Sequence, residues 1–361
     1  MKAKLNQLSM AVLALWALPA LADRVPNASQ LLQQQQEQRL PAQPQQAATW
    51  EDNSPTTQSL DGQQTVRVER IHIEGSGSLS SEAVHAVVAD AEGKTLNIGQ
   101  LQQLADKVSH YYQQQGYPYH RAYLPPQNLN TGVVVIRVLE AQYDQVILNN
   151  QTRTKDSLLQ ATIAPLQNGK VIKRQDLERQ IKLLNRLNGV TTRSSISAGS
   201  TTGSSNVNID VIPTKTLSSY VGLDNYGNKY TGEVRLNAGV MANNLLGLGD
   251  QLSFEGTSAG KRFNYGKLAY ELTLNGAGTK AGVSYSRLEY ELGKALKVLD
   301  AEGSANQATV WLSHPLVLNN QTEVVVTTSY DHKRIKDDVG LAQSYRHRNV
   351  DTGRIRLDAF R

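Results

Sequence analysis

The histidines and serines are the residues that could bind a metal or act as nucleophiles, but their spacing supports neither role. The seven histidines form no H-x-x-x-H or H-E-x-x-H pair, the spacing that places two imidazoles on one helix face for zinc. His110, His120 and His314 stand in contexts that favour packing or solvent contact. No serine combines with a histidine and an acid into a triad, and Gly75-Ser76-Gly77 lacks the lysine of a phosphate-binding loop. The sequence therefore predicts a protein that is not an enzyme and binds no metal and no cofactor.

The composition excludes further classes of protein. The 361 residues contain no cysteine, so the protein forms no disulfide and has no thiolate chemistry. The net charge is +5, and lysines and arginines are scattered among acids, so no nucleic-acid partner is expected. After the N-terminus, no apolar run reaches the roughly 20 residues of a spanning helix.

The first 64 residues divide into three segments. Lys2 and Lys4 precede an apolar run that ends in Ala20-Leu21-Ala22, which predicts a secretory signal peptide over residues 1–22; a buried N-terminal helix is the alternative. Residues 23–46 include the glutamine-rich stretch "LLQQQQEQRL", which is either disordered or an amphipathic helix that docks elsewhere as a plug. Residues 47–64 are polar and predict a linker.

Two tandem α/β units follow, each with the order β-α-α-β-β. In residues 65–142, the strand "VRVERIHIEG" precedes two helical stretches, the short strand Tyr119–Leu124 and the β-branched strand "GVVVIRVLEA". Residues 143–215 repeat this order, with an apolar helical stripe that Gly189 ends.

From residue 216 to 361 the sequence predicts only strands. Eight runs of about nine to twelve residues, the length that crosses a bilayer at a tilt, are separated by turn residues. Both a soluble sandwich and a membrane barrel show such alternation, but long uniform strands with charges at mid-strand favour the barrel. The runs begin near Leu217, Thr231, Gln251, Tyr265, Lys280, Asn306, Gln321 and Arg348.

The stretch "GEVRLNAGV" shows the alternation most clearly. Successive side chains of a strand point to opposite faces. The predicted lipid-facing set is Val234, Leu236, Ala238 and Val240. The predicted lumen-facing set is Glu233, Arg235 and Asn237.

In this order and spacing, several motifs resemble the two-partner secretion transporters of the haemolysin-activator family. Gly116-Tyr117 and the "YLPPQ" block resemble the end of the family's first POTRA domain, and "LLNRLNGV" resembles its second POTRA domain. Asp224, Asn225 and Gly227 resemble the first barrel hairpin. "NNLLGLGDQLSF", with Gly247, Gly249 and Asp250, and "LSHPLVLNNQ" resemble later barrel blocks.

The resemblance implies a fold of α+β POTRA domains followed by an antiparallel transmembrane β-barrel. It places the POTRA domains in the periplasm and the barrel in the outer membrane of a Gram-negative bacterium. The partners it implies are membrane lipid and one secreted exoprotein: a haemolysin, adhesin or contact-dependent inhibition toxin, exported without ATP. Because the family's barrel is longer and its "VRGY" motif does not occur here, the resemblance predicts an incomplete barrel.

Two kinds of site follow as predictions. The hairpin residues Asp224, Asn225 and Gly227 serve either as turn residues or as a lumen contact, with the turn favoured. The strand Tyr119–Leu124 is predicted to be an open sheet edge that binds the unfolded exoprotein by β-augmentation; its residues are Tyr119, His120, Arg121, Ala122, Tyr123 and Leu124. A barrel-assembly insertase and a soluble envelope β-protein remain as alternative functions.

Overall fold

The computed structural model describes residues 25–37, 50–52 and 65–361. The predicted signal peptide and most of the predicted linker lie outside the described residues. A ten-residue helix, α1 (Ala28–Glu37), covers part of the glutamine-rich stretch. Within the described ranges, no helix has the length and apolar character needed to cross a membrane.

The first α/β domain contains two helices and five short strands. They are β2 (Thr65–Arg67), β3 (Arg70–Glu74), α2 (Ser81–Ala86), β4 (Thr95–Asn97), α3 (Ile98–Gln114), β5 (Arg121–Tyr123) and β6 (Val133–Leu139). The main sheet has the order β3-β6-β5, and β2 pairs with β4 beside it. The predicted single strand "VRVERIHIEG" is therefore wrong: it is two strands. The Val68 N–H still bonds on the β4 side, to Lys94 C=O at 2.9 Å, whereas the Glu69 N–H bonds to Gly132 C=O at 2.7 Å, next to β6.

Helix α3 holds this domain together. Asn97 Oδ1 accepts the Gln100 N–H at 2.8 Å while Gln100 Oε1 accepts the Asn97 N–H at 2.9 Å, a capping box that begins the helix. Leu101, Leu104 and Val108 recur at helical spacing and are buried against the sheet.

The second α/β domain repeats this plan. It consists of β7 (Gln142–Asn150), α4 (Asp156–Ile163), α5 (Arg174–Asn185), β8 (Val190–Ala198) and β9 (Ser204–Pro213). Its sheet has the order β1-β8-β9-β7. The additional strand β1 (Trp50–Asp52) comes from the linker and pairs in parallel with Ser194–Ile196 of β8. The sequence did not predict this strand.

The remaining strands form one antiparallel sheet in chain order. The predicted count of eight is confirmed, but the predicted length of nine to twelve residues is wrong for the last three strands, which have 17 or 18 residues. Their extensions were missed because polar residues such as Glu302 and Ser304 remove the apolar alternation there. The strands are β10 (Leu217–Asp224), β11 (Arg235–Asn243), β12 (Gln251–Ser258), β13 (Phe263–Thr273), β14 (Lys280–Glu291), β15 (Ala301–Leu318), β16 (Glu323–Val339) and β17 (Ser344–Phe360).

Candidate functional site

Helix α1 lies against one face of the eight-stranded sheet, which we call the inner face. Its residues Ala28, Leu31 and Leu32 recur at helical spacing and are buried in a cluster with side chains of β13 to β16. Alternate side chains of these strands supply that cluster: Phe263, Tyr265, Leu288, Tyr290, Ala301, Ala305 and Ile335. The apolar stripe of a short amphipathic helix is thus covered by the sheet.

The N-terminal end of α1 is bound to a carboxylate of β16. The Ala28 N–H donates to Asp337 Oδ1 at 2.8 Å, and the Tyr290 hydroxyl donates to the same oxygen at 2.9 Å. Arg348 Nη2 lies 3.3 Å from Asp337 Oδ2. A carboxylate at a helix N-terminus is stabilised by the unpaired N–H groups and by the helix dipole.

Neutral side chains hold the other end of α1. Gln35 Nε2 donates to Thr257 Oγ1 at 2.9 Å, and Gln36 Nε2 donates to Gln307 Oε1 at 2.8 Å. Thr257 Oγ1 in turn donates to Asn237 Oδ1 at 2.8 Å. The glutamine-rich composition therefore matches a polar inner face.

The first predicted hairpin has the geometry of a turn and also contacts the inner face; its role as a lumen contact stays a prediction. Asp224 Oδ1 accepts the Tyr226 N–H at 2.9 Å, which is an Asx turn. The same carboxylate accepts from Arg235 at 2.9 and 3.1 Å and from Asn237 Nδ2 at 2.6 Å on the inner face. Gly227 lies where a Cβ would be 1.9 Å from the Gly232 carbonyl oxygen, so only glycine fits. Asn225 is exposed in the bend between these residues.

The predicted alternation on "GEVRLNAGV" agrees with the exposure of the side chains from Arg235 onward, whereas Glu233 and Val234 precede strand β11. Val234, Leu236 and Val240 expose 64%, 47% and 43% of their surface, and Ala238 is half-buried on the same face. Arg235 is buried, and Asn237 is half-buried beside it. Glu233 is exposed near the end of the sheet, with its Oε1 3.1 Å from Lys294 Nζ. Contact of the first set with lipid stays a prediction.

The second predicted hairpin is a docking site for the second α/β domain. Asp250 is fully buried and accepts the N–H groups of Leu246 and Leu248 at 3.0 and 3.2 Å. The Gly247 carbonyl accepts the Lys155 N–H at 2.8 Å. A Cβ on Gly249 would lie 2.8 Å from the Leu187 side chain. The sequence indicated turn residues here, but not the close approach of α4 and α5 that also requires glycine.

The end of β15 and the turn that leads to β16 also contact α5 and the residue after it. Arg186 and Glu323 form an ion pair with side chains only 14% and 11% exposed. Arg179 Nη2 donates to the Pro315 carbonyl at 3.2 Å, and Glu178 Oε2 accepts the Asn320 N–H at 3.1 Å. These contacts could not be predicted from the sequence, since charged positions on a predicted helix are ordinarily solvent-exposed.

The predicted open edge at Tyr119–Leu124 is already occupied. β5 is an edge strand, but both outward groups of Ala122 contact Ser109 Oγ of α3: the N–H donates to it at 2.8 Å, and the hydroxyl lies 3.4 Å from the carbonyl. Tyr119 is buried in the core of the second domain, and Arg121, Tyr123 and Leu124 are only half-buried. The edge is therefore closed by a helix, which the spacing of residues could not reveal.

His120 is completely buried at the junction of the two α/β domains. Its Nδ1 accepts the Ala141 N–H at 3.3 Å, and its Nε2 lies 3.4 Å from Ser78 Oγ. Its ring stacks on Tyr112 with centroids 5.2 Å apart and lies 4.8 Å from the Tyr117 ring. Burial lowers the pKa of His120 to about 4, so the ring is neutral and serves as a packing element.

Within the ranges that the structure describes, no three His, Asp or Glu side chains are grouped so that they could hold a metal ion.

Comparisons with known proteins identify the parts of the chain. The model of the ShlB-type POTRA domain matches residues 66–141. The model of the haemolysin secretion/activation protein ShlB/FhaC/HecB matches residues 203–354.

Curated relatives and solved structures agree with these matches. The heme/hemopexin transporter protein HuxB of Haemophilus influenzae is 28% identical over 282 residues, which are 78% of this chain and 50% of HuxB. The outer membrane transporter CdiB of Escherichia coli is 28% identical over 340 residues, covering 89% of this chain and 57% of CdiB. The chain thus spans about half the length of the curated relatives it matches.

The solved structure of CdiB from Escherichia coli superposes with a TM-score of 0.65 at 25% identity and covers 92% of this chain and 62% of that chain. CdiB from Acinetobacter baumannii gives a TM-score of 0.59 at 18% identity, which supports the fold alone. The predicted fold class is confirmed: POTRA-type α/β domains precede a large antiparallel sheet that resembles the same region of CdiB.

Proposed function

We propose, from the premise that this chain belongs to the ShlB/FhaC/HecB family of haemolysin secretion/activation proteins, that it is an outer-membrane transporter of two-partner secretion. Its cargo is one large β-helical exoprotein, a haemolysin, adhesin or contact-dependent inhibition toxin, and export uses no ATP. The POTRA domains lie in the periplasm of a Gram-negative bacterium, and the sheet is part of the barrel wall.

The observation that carries this proposal is the two-sided sheet with POTRA domains docked at one end. Along one row of neighbours on the outer face, Val240, Phe254, Leu268 and Tyr285 each expose 43–52% of their surface. The inner face opposite them is polar or covered by α1. A soluble sheet would bury such a row, whereas a barrel wall presents it to lipid.

Tyrosines on the outer face, toward the end of the sheet away from the POTRA domains, also support contact of this face with a membrane. The Tyr285 hydroxyl donates to Asn306 Oδ1 at 3.0 Å, and the Tyr330 hydroxyl donates to Asp351 Oδ1 at 2.8 Å. Beyond them, outward positions carry charges such as Arg334. Membrane barrels carry aromatic girdles where the apolar band meets the headgroups, so these rows mark the interface away from the POTRA domains.

Capture of the exoprotein is assigned to the POTRA domains. Strand β1 is an extended segment of this chain that already adds to β8, so the sheet of the second domain can accept an incoming strand through backbone hydrogen bonds. An unfolded exoprotein offers many such segments, and backbone pairing tolerates differences in their sequence.

Secretion tests the proposal directly. The complete gene that encodes this chain is expressed in Escherichia coli with the exoprotein gene beside it, and the culture medium is assayed for exoprotein. We expect secretion that is lost when residues 65–213 are deleted while the deleted protein still reaches the outer membrane. Equal amounts of exoprotein in the medium without the transporter gene would overturn the proposal.

A further inference from the structure

Strand β17 has four arginines on its inner face. Arg348 Nη2 lies 3.3 Å from Asp337 Oδ2, and Arg354 Nη2 lies 3.4 Å from Asp331 Oδ2 on the neighbouring strand β16. Because Asp337 accepts the Ala28 N–H of α1, these side chains lie on the same face of the sheet as the helix. Side chains of a strand alternate between its two faces, so the other even-numbered positions of β17 and the odd-numbered positions of β16 also point inward. We call the inward-pointing cations of the two strands the basic strip: Lys333, Arg346, Arg348, Arg354 and Arg356.

Positive charge exceeds negative charge only on this side of the inner face. Strands β16 and β17 combine the five cations of the basic strip with three inward-pointing acids, Asp331, Asp337 and Asp358. On strands β10 to β14, by contrast, every inward-pointing cation has an acidic neighbour. The neighbours are Arg235 with Asp224, Lys280 with Glu271, and Lys267 directly opposite Glu255.

The acids of β16 do not use up the donors of the basic strip. Asp331 is buried and already accepts from Gln307 Nε2 at 2.8 Å and from Thr309 Oγ1 at 2.7 Å. Across the residues that the structure describes, neither Lys333 nor Arg346 has a side-chain hydrogen bond or ion pair. A guanidinium carries five N–H donors, and its planar shape suits a carboxylate. The basic strip therefore has donors available for further carboxylates.

A cavity of about 340 Å³ between α1 and the sheet gives access to the basic strip. Lys333 and Arg354 line one side of it. The helix lines the other side with uncharged side chains only: Ser29, Leu32, Gln33 and Gln36. An acidic side chain that enters this cavity meets two cations and no carboxylate among the lining residues.

The dimensions of the basic strip match those of an extended polypeptide that crosses the wall. Arg346 and Arg356 are ten residues apart, which is about 33 Å at roughly 3.3 Å per residue and is close to the thickness of a bilayer core. Arg346 and Arg348 are two residues apart, as are Arg354 and Arg356. Alternate side chains of an extended chain have the same spacing and point to one side. Two acids separated by one residue can therefore face either arginine pair together.

We infer that the basic strip binds acidic segments of the extended exoprotein as they pass along the inner face. Its ligand is a stretch with aspartate or glutamate at alternate positions, because opposite charges attract and the two spacings agree. This inference rests on the proposed function and specifies the chemistry of the cargo that the sheet recognises.

Site-specific photo-cross-linking in cells tests the location of the cargo. The complete gene that encodes this chain is expressed with the exoprotein encoded beside it, whose C-terminus is fused to a stably folded domain so that export stalls. We expect a photoreactive residue to cross-link to the exoprotein from position 350, on the inner face between the two arginine pairs. Position 349, on the outer face of the same strand, should give no cross-link.

The possible failures of this experiment are distinguishable. Equal cross-linking from positions 349 and 350, or none from either, would overturn the inference and leave the proposed function standing if the unfused exoprotein still reaches the medium. Failure of the unfused exoprotein to reach the medium would contradict both.

A matched pair of double variants tests the charge. Arg346→Gln with Arg356→Gln removes two inner cations that have no bond to the buried aspartates, so both aspartates keep their partners. Arg334→Gln with Lys336→Gln removes two cations from the outer face of β16. At equal folded amounts in the outer membrane, we expect cross-linking from position 350 to fall about threefold to tenfold in the first variant and less than about twofold in the second, since each solvated ion pair contributes modestly. Equal losses in the two variants would refute a role of the basic strip.

The cargo provides the complementary test. Mass spectrometry identifies the exoprotein segment that is cross-linked to position 350, and its aspartates and glutamates are replaced by asparagine and glutamine. We expect this neutral segment to cross-link about threefold to tenfold less to the parent transporter. Unchanged cross-linking would show that acidic side chains are not recognised, and the inference would be wrong while the proposed function stands.

Discussion

The neutral, buried His120 predicts that the POTRA pair loses stability in mild acid. Its Nδ1 accepts the Ala141 N–H, so the Nε2 atom carries the proton and faces Ser78 Oγ. Protonation would place a second N–H against the Ala141 N–H and a charge between Tyr112 and Tyr117. Burial is the largest cause of the lowered pKa of His120, and the nearby Glu140 opposes it.

The size of the effect follows from the pKa difference. The ordinary histidine pKa of 6.5 falls to about 4 in the folded chain, and each pKa unit is worth 1.36 kcal/mol. As the pH falls below 6.5, the unfolded chain binds a proton that the folded chain does not, so the free energy of unfolding decreases. The decrease between pH 7 and pH 5 is about 2 kcal/mol, and it ends near pH 4.

Carboxylates act mainly below this window. A bond from the Ile71 N–H lowers the pKa of Glu92, and a bond from the Ser200 N–H lowers the pKa of Asp144. Their stabilisation is present above the ordinary carboxylate pKa of about 4 and is lost as the pH falls through their lowered values. The two carboxylates therefore contribute little between pH 7 and pH 5, and a His120 variant separates the contribution of His120 from that of other histidines such as His85, which lies 3.1 Å from Glu92.

The assay is urea unfolding of a fragment of residues 65–214 at pH 7 and at pH 5, with circular dichroism as the measure of unfolding. This fragment contains both POTRA cores complete. The control is His120→Asn, whose amide oxygen can accept the Ala141 N–H but does not titrate. We expect the parent fragment to lose about 2 kcal/mol between the two pH values and the variant to lose less than about 0.5 kcal/mol. An equal loss in both would refute the assignment of a neutral histidine.

Three further predictions concern the other contacts. Ser109→Ala leaves the β5 backbone groups without their hydroxyl and should cost about 1–3 kcal/mol of POTRA stability in urea unfolding, whereas Ser109→Thr, which keeps the hydroxyl, should cost less. Replacing Arg186 or Glu323 alone by glutamine should weaken POTRA docking by about 3–5 kcal/mol, measured by hydrogen exchange of the docked turns, and the double variant should cost less than the sum. Leu236→Arg on the outer face should cost about 2–4 kcal/mol of barrel stability and reduce the heat-modifiable folded fraction on gels, while Tyr226→Arg in an exposed turn should not. Equal folded fractions for these two variants would contradict the lipid-facing assignment.

The sequence was sufficient to predict a helix or strand wherever one face of the element is apolar and the other is polar. Alternation in β11 and β13 indicated these two strands and the shared face of Leu236 and Val240, since period 2 is visible when one face contacts an apolar medium. The extensions of β15 to β17 escaped detection because their outer positions, such as Glu302, Ser304 and Arg334, are polar. Strand β1 escaped because three residues contain too little pattern to indicate a strand.

Contacts between distant elements could not be predicted from the sequence for a different reason. Arg186, Glu323 and Ser109 belong to types that are common on exposed surfaces, and only the docking of one element on another buries them. Gly247 and Gly249 predicted the turn but not the docking of the POTRA domain on it, because a glycine in a turn is explained by turn geometry alone. Their positive φ values of 73° and 58° do require glycine, but so does the distance to the POTRA backbone.

The POTRA edges show how one topology can assign different tasks to equivalent strands. In each domain, the strand after the helices lies at one edge and the first strand lies at the other. In the first domain, Ser109 closes the edge at β5. In the second domain, strand β1 pairs with part of the equivalent strand, β8. The two first strands also differ, because a glutamate side chain caps β3 whereas nothing in the described chain caps β7 at Val146 and Leu148. Since an unprotected edge favours pairing with another strand, the bond from the Ile71 N–H to Glu92 reduces this tendency in β3.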